Sequence, residues 1–136
     1  MLVLDSSVTL AWYVEDERSD RTQELLDVVA TQGAFVPLHW QLEVGNALLL
    51  AMRQRRISPK IRSDALAQLI GLQITVDDLT LEQAWTASLP LADTYRLTLY
   101  DACYLELAQR RALPLATLDR DLRDAGRALG LELLGA

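Results

Sequence analysis

Apolar and polar positions change period repeatedly along this 136-residue chain, and each change marks an element. Five short apolar runs stand out: LVLD (2–5), FVP (35–37), LQITV (72–76), LPLAT (113–117) and LELL (131–134). Each reads as a strand, apolar on both faces as a buried parallel sheet requires. Stretches with helical spacing lie between them. They cover residues 8–14 (with Ser6 or Ser7 as cap), a segment reaching about residue 30 and broken by Gly33, 42–56, 59–71, 80–89, 100–111 and 118–129. Ser58-Pro59 is a stop-and-restart signal, because proline fits the first helical position and a serine before it caps. Pro90 and Asp93 predict a loop after the helix at 80–89. Gly130 ends the last helix.

Strands alternating with helices predict an α/β fold. The expected architecture is a three-layer α/β/α sandwich around a central, mainly parallel sheet of four to five strands, with a helical hairpin inserted between strands two and three. No repeat, linker or low-complexity segment interrupts the pattern, so residues 1–136 are expected to form a single domain.

Composition narrows the chemistry. The one cysteine, Cys103, excludes an intramolecular disulfide and a cysteine-rich zinc site, and its apolar surroundings make it a small buried hydrophobe. No window has the length and apolarity of a membrane span, and MLVLDSS lacks the layout of a signal peptide, so a cytoplasmic protein is expected. The net charge of -6 argues against a large basic nucleic-acid footprint. The excess is local: residues 1–50 hold eight acids against Arg18 and Arg21, whereas acids and bases balance in residues 51–136. Arginines cluster at Arg53, Arg55 and Arg56, near Lys60 and Arg62, and again at Arg110 and Arg111. Trp12, Tyr13 and Trp40 are candidates for an interface or for the core.

LTLYDACYLELA (97–108) poses a specific problem. Asp101 falls in the first turn of a helix, and Leu105 and Ala108 follow at helical spacing, which aims the carboxylate along the buried stripe. Glu106, four residues before Arg110, reads as a solvated pair on another face. A carboxylate facing a core is costly unless its charge is answered.

Three more acids stand where strands end. Asp5 closes LVLD, Glu43 opens the helix after FVP, and Asp119 follows LPLAT. Active sites of open α/β sheets lie beyond the carboxyl ends of the strands, and right-handed crossovers bring those ends to one rim. No strand directly precedes Asp101, so a turn near Thr98 must carry its helix start to the rim. Singly, each acid could be a cap or a first-turn charge. Together, four like charges would raise one another's pKa, and hard divalent cations such as Mg²⁺ or Mn²⁺ would hold them ionised. Such ions support in-line phosphoryl chemistry without a histidine. His39, the only histidine, precedes the helix of Glu43 and is weighted toward a neutral structural role. Ser6, Asn46 and Thr117 could orient a water or a carboxylate. Asp121 competes with Asp119 as the fourth acid.

These motifs, in this order, resemble the PIN-domain ribonucleases, specifically the VapC-type toxins. VLDSSVTLAW resembles the family's opening strand with its acid, Asp5; WQLEVGNALL its second motif, with Glu43 and Asn46; LTLYDACYLELA its third, with Asp101; and LPLATLDRDL its fourth, with Thr117 and Asp119. The resemblance covers essentially the whole chain. It implies a PIN-like fold and a Mg²⁺- or Mn²⁺-dependent endoribonuclease that leaves 5'-phosphate and 3'-hydroxyl ends and stops translation. Asp5, Glu43, Asp101 and Asp119 would be both catalytic residues and metal ligands. It further implies a small VapB-like antitoxin as partner, and a homodimer. Arg53, Arg55, Arg56 and Arg96 are candidate RNA contacts beside the acidic rim.

Two other readings share these residues: a PIN-type nuclease of RNA processing or decay without an antitoxin, and a non-catalytic interaction module of the same fold. A haloacid-dehalogenase-type phosphatase needs a DxD pair where this chain has Asp5-Ser6-Ser7. A response-regulator receiver needs a late lysine, and the only lysine is Lys60.

Overall fold

A computed structural model describes residues 1–136. Five short parallel strands form one sheet: β1 (Val3–Leu4), β2 (Ala34–Val36), β3 (Ile74–Val76), β4 (Leu115–Ala116) and β5 (Leu133–Leu134), in the order β3-β2-β1-β4-β5. The helices are α1 (Ser6–Ala11), α2 (Asp20–Gln32), α3 (Trp40–Arg53), α4 (Pro59–Gly71), α5 (Thr80–Gln83), α6 (Leu89–Tyr95), α7 (Leu99–Arg111) and α8 (Arg120–Ala128). They cover both faces of the sheet, giving the three-layer α/β/α sandwich, and α3 and α4 are the helical hairpin between β2 and β3.

The strand order decides where a site can form. From β1 the chain proceeds outward through β2 to β3, and then returns to the other side of β1 to lay down β4 and β5. The direction reverses between β1 and β4. In open α/β sheets the crevice for a ligand opens beyond the carboxyl ends of the strands at that point. Asp5 follows β1 directly and Thr117 follows β4 directly, and the Asp5 N–H donates to the Ala116 carbonyl at 3.0 Å.

Sequence signals explain most boundaries. Ser58 caps α4 by accepting the Ile61 N–H at 3.2 Å, with Pro59 in the first turn. Gly33 ends α2 at φ 76°, and a Cβ there would lie 2.7 Å from the Gln73 carbonyl oxygen, so only glycine suits this turn into β2. Val3, Leu4, Val36, Leu115 and Ala116 have no exposed surface, as the two-sided apolar strands imply. The edge strand β3 departs from that expectation, since Val76 is exposed.

Two sequence expectations are corrected and one open alternative is decided. Pro90 and Asp93 do not form a loop. Helix α5 runs through a π-helical stretch, Ala84–Ser88, directly into α6. Proline has no N–H to donate and its ring opposes the carbonyl four residues back, and the wider π turn before Pro90 removes that conflict. Of the two roles open for Trp12 and Trp40, interface or core, the structure selects the core: both are buried, with indole N–H groups donating to the Thr22 carbonyl at 2.7 Å and the Thr9 hydroxyl at 3.3 Å. Glu106 is not solvated. It is buried and accepts from Arg110 at 2.6 Å. Cys103 is buried, as its surroundings predict. No helix is long and apolar enough to cross a membrane.

Candidate active site

Asp5 is the most deeply buried of the four acids and stands where β1 ends. It occupies the cap position of α1, yet its side chain caps nothing. Instead Oδ2 accepts the Ser7 hydroxyl at 2.6 Å and the Thr117 hydroxyl at 2.7 Å, and Oδ1 lies 3.4 Å from the Ser6 hydroxyl. The same hydroxyls lock the loop after β4: Ser7 Oγ accepts the Leu118 N–H at 2.9 Å, and Thr117 Oγ1 accepts the Asp119 N–H at 3.0 Å. Burial pushes the Asp5 carboxyl above the usual aspartate range, the hydroxyls of Ser7 and Thr117 pull it back, and the charge of Asp119 raises it further.

Asp101 enters from α7. Thr98 caps that helix by accepting the Asp101 N–H at 3.1 Å, which is the turn the sequence required. The side chain is half-buried, so the expected aim along the core is only partly realised. Its carboxyl is pushed up to about 6, first by burial and then by the charges of Asp119, Asp5 and Glu43. All four predicted acids therefore share one electrostatic neighbourhood. Asp119 caps α8 through Oδ1, which accepts the Leu122 N–H at 2.9 Å, so its capping and its place among the acids coexist. Asp121 is exposed and does not figure among the charges acting on Asp5 or Asp101.

Glu43 lies in the first turn of α3. Its Oε1 accepts the phenol of Tyr104, and His39 Nε2 stands 3.7 Å from the same oxygen. Burial, then the charges of Asp5 and Glu43, hold the Tyr104 phenol well above its usual range, so it remains a donor. Asn46 is exposed and has no hydrogen bond to any of the acids. Sequence reasoning passed over Ser7 and Tyr104. The signals were there: Ser7 stands two residues past Asp5, and Tyr104 lies one helical turn past Asp101.

The arginines are distributed differently from expectation. Arg53 lies ten residues beyond Glu43 on α3, about 15 Å along the axis. Arg55 follows the helix end, and Arg56 is paired with Asp16 at 3.0 Å and Glu17 at 3.4 Å. That cluster therefore sits at the far end of α3 from the acids. Arg96 alone stands close in the chain to the site, exposed and two residues before the Thr98 cap.

Asp77 supplies a control within the same fold. Like Asp5 it is a buried acid directly after a strand. Arg110 donates to Asp77 Oδ2 at 2.6 Å and to Glu106 Oε1 at 2.6 Å, and Arg111 lies 3.9 Å from Asp77. No salt bridge of any kind reaches Asp5, Asp101 or Asp119. The chain pairs Asp77 with its own arginines and pairs none of Asp5, Asp101 and Asp119 in this way. Their hard oxygens suit Mg²⁺ or Mn²⁺. No group of three or more His, Cys, Asp or Glu side chains stands close enough together to hold a metal ion in this arrangement.

The fold agrees with known proteins. The family model for the PIN domain matches residues 2–128. The chain belongs to the PIN-domain family. Membership supports a nuclease-like, hydrolytic function. Among solved structures, the PIN-domain chain resembles the crystal structure of PAE2754 from Pyrobaculum aerophilum, with a TM-score of 0.69 and 23% identity over 97% of this chain and 82% of that one. That likeness is one of fold. No curated protein matches the sequence.

Proposed function

We propose that this PIN-domain protein is a Mg²⁺- or Mn²⁺-dependent endoribonuclease that hydrolyses RNA phosphodiester bonds to 5'-phosphate and 3'-hydroxyl ends, and that it acts as a VapC-type toxin. The observation that carries the reading is the group formed by Asp5, Glu43, Asp101 and Asp119, which no arginine or lysine pairs, while Asp77 has two arginines. When bound, the divalent ion supplies Lewis acidity and an activated water. The chain's own residues do the positioning. Ser7 and Thr117 fix the Asp5 carboxylate, Tyr104 fixes that of Glu43, and the α7 cap at Thr98 presents Asp101. Asp119 adds its charge from the first turn of α8, with Ser6 beside Asp5.

An apolar groove of about 410 Å³ between α3, α4 and β3, lined by Val44, Leu66, Ile70 and Val76 among others, supports a protein partner. A small VapB-like antitoxin or a second copy of the chain would suit it. RNA approaching the acids meets repulsion, which metal and Arg96 would lower, so binding should weaken without divalent ions and with rising salt.

The test is cleavage of total cellular RNA by purified protein with Mg²⁺, Mn²⁺ or chelator, beside Asp5→Asn and Asp101→Asn, with 5'-phosphate ends mapped after induction in cells. Metal-dependent cuts lost in both variants support the nuclease; equal cleavage by all three proteins would sink it. Growth arrest on expression alone, relieved by the neighbouring small reading frame, separates a toxin from an RNA-processing nuclease.

A further inference from the structure

Three rings step outward from Glu43 to the surface. Tyr104, fully buried, donates its phenol to Glu43. His39 stands edge-on to Tyr104, with ring centroids 5.4 Å apart and planes at 76°. Tyr100 stands edge-on to His39 at 5.6 Å and 63°. The His39 Nε2–H donates to the Tyr100 carbonyl at 3.0 Å, pinning the first turn of α7 to the start of α3. Tyr100 and Tyr104 are one helical turn apart and share a stripe of α7. Asp101 is the next residue after Tyr100. Tyr104 is wholly enclosed, but Tyr100 leaves 63% of its surface exposed. The outermost ring is thus held in orientation by His39, open to solvent, and tied to the acids through its helix and through His39.

We propose that Tyr100 is a stacking platform for an unpaired base of single-stranded RNA, beside the phosphodiester on which the acids act. The inference rests on the ribonuclease reading and adds to it the residue that holds a base. Phosphate is repelled by a rim of four acids on a chain of net charge -6. Contacts that carry no charge add affinity beside what metal and Arg96 contribute. Stacking on an aromatic ring does so, tolerates any base, and requires the base to be free of a duplex. The Tyr100 ring meets His39 in a T-shaped contact on one side and keeps most of its surface open to a flat ligand. A protein partner has a different aromatic available: Trp85, exposed at 81% in the π-helical stretch and joined by no ring contact to this ladder.

The experiment titrates a mixed-sequence single-stranded RNA carrying 2-aminopurine with the Asp101→Asn protein and with Asp101→Asn/Tyr100→Ala, wild-type cleavage being measured in parallel. Stacking predicts quenched 2-aminopurine fluorescence, affinity roughly tenfold weaker without the ring, and recovery with Tyr100→Phe but not with Tyr100→Leu. A duplex of the same sequence should lose nothing. Tyr100 is exposed, so unchanged melting of the Ala variant separates binding from folding. Equal affinity and quenching with and without the ring, in a wild type that cleaves RNA, overturns the platform and leaves the nuclease standing. No cleavage by wild type and no RNA bound by any variant overturns both. Unchanged RNA binding with loss of a protein partner overturns the platform in favour of a docking contact.

Discussion

Thr117 donates its hydroxyl to Asp5 at 2.7 Å, joining the carboxyl ends of β1 and β4 across 112 residues of sequence. The same oxygen accepts the Asp119 N–H, so one hydroxyl sets two acids. Thr117→Val keeps the shape and removes the hydroxyl. It is expected to cost about 1–2 kcal/mol in stability, because Asp5 and the Asp119 N–H each lose a buried partner. Cleavage should fall about tenfold or more, as the carboxylate loses its fixed geometry, and Thr117→Ser should recover much of both. Urea unfolding beside RNA cleavage checks it; full cleavage by the Val variant would remove the hydroxyl from the site.

Asp119 and Asp121 can be told apart without disturbing α8. Asparagine caps a helix about as well as aspartate. Asp119→Asn should keep the thermal midpoint and lose most of the cleavage, whereas Asp119→Ala should also lose about 1 kcal/mol of stability. Asp121→Asn, at an exposed position, should change neither. Loss of cleavage in Asp121→Asn with a fully active Asp119→Asn would reverse the assignment.

Arg110 is expected to matter for folding. Arg110→Leu leaves Glu106 buried without its cation and Asp77 with only Arg111 at 3.9 Å, at a cost of about 3 kcal/mol or more. Replacing all three by apolar residues should be milder, since no uncompensated charge is left behind. Chemical denaturation of the single and triple variants makes the comparison, and a triple variant less stable than the single one would contradict it.

Asp101 gives a pH dependence of definite sign. Its carboxyl is held at about 6 in the fold against an ordinary 3.8. Between those values the folded chain binds more protons than the unfolded chain, so this group's contribution to stability falls as pH rises through that window. The gain in thermal midpoint from Asp101→Asn should therefore be larger at about pH 7 than at about pH 4 when no divalent ion is present. Added Mn²⁺ should stabilise the wild type more at the higher pH, because the ion replaces the proton. A gap between wild type and variant that stays flat across this range would sink the idea.

The sequence by itself determined the alternation of strands and helices, the hairpin between β2 and β3, and three acids, Asp5, Glu43 and Asp119, where strands end, whereas Asp101 joined them mainly through the family resemblance. Those are consequences of local period and of which residues end a strand. It did not show that residues 80–95 form a continuous helix, because the π turn that accommodates Pro90 has no period of its own to read. Nor did it separate Asp77 from Asp5, since both follow an apolar strand. Only the tertiary structure did that, by bringing Arg110, 33 residues away, onto Asp77 and no cation onto Asp5. Whether a buried charge is answered depends on what the fold carries to it from elsewhere in the chain, which is also why the ring ladder from Tyr100 through His39 to Tyr104 and Glu43 was legible only in three dimensions.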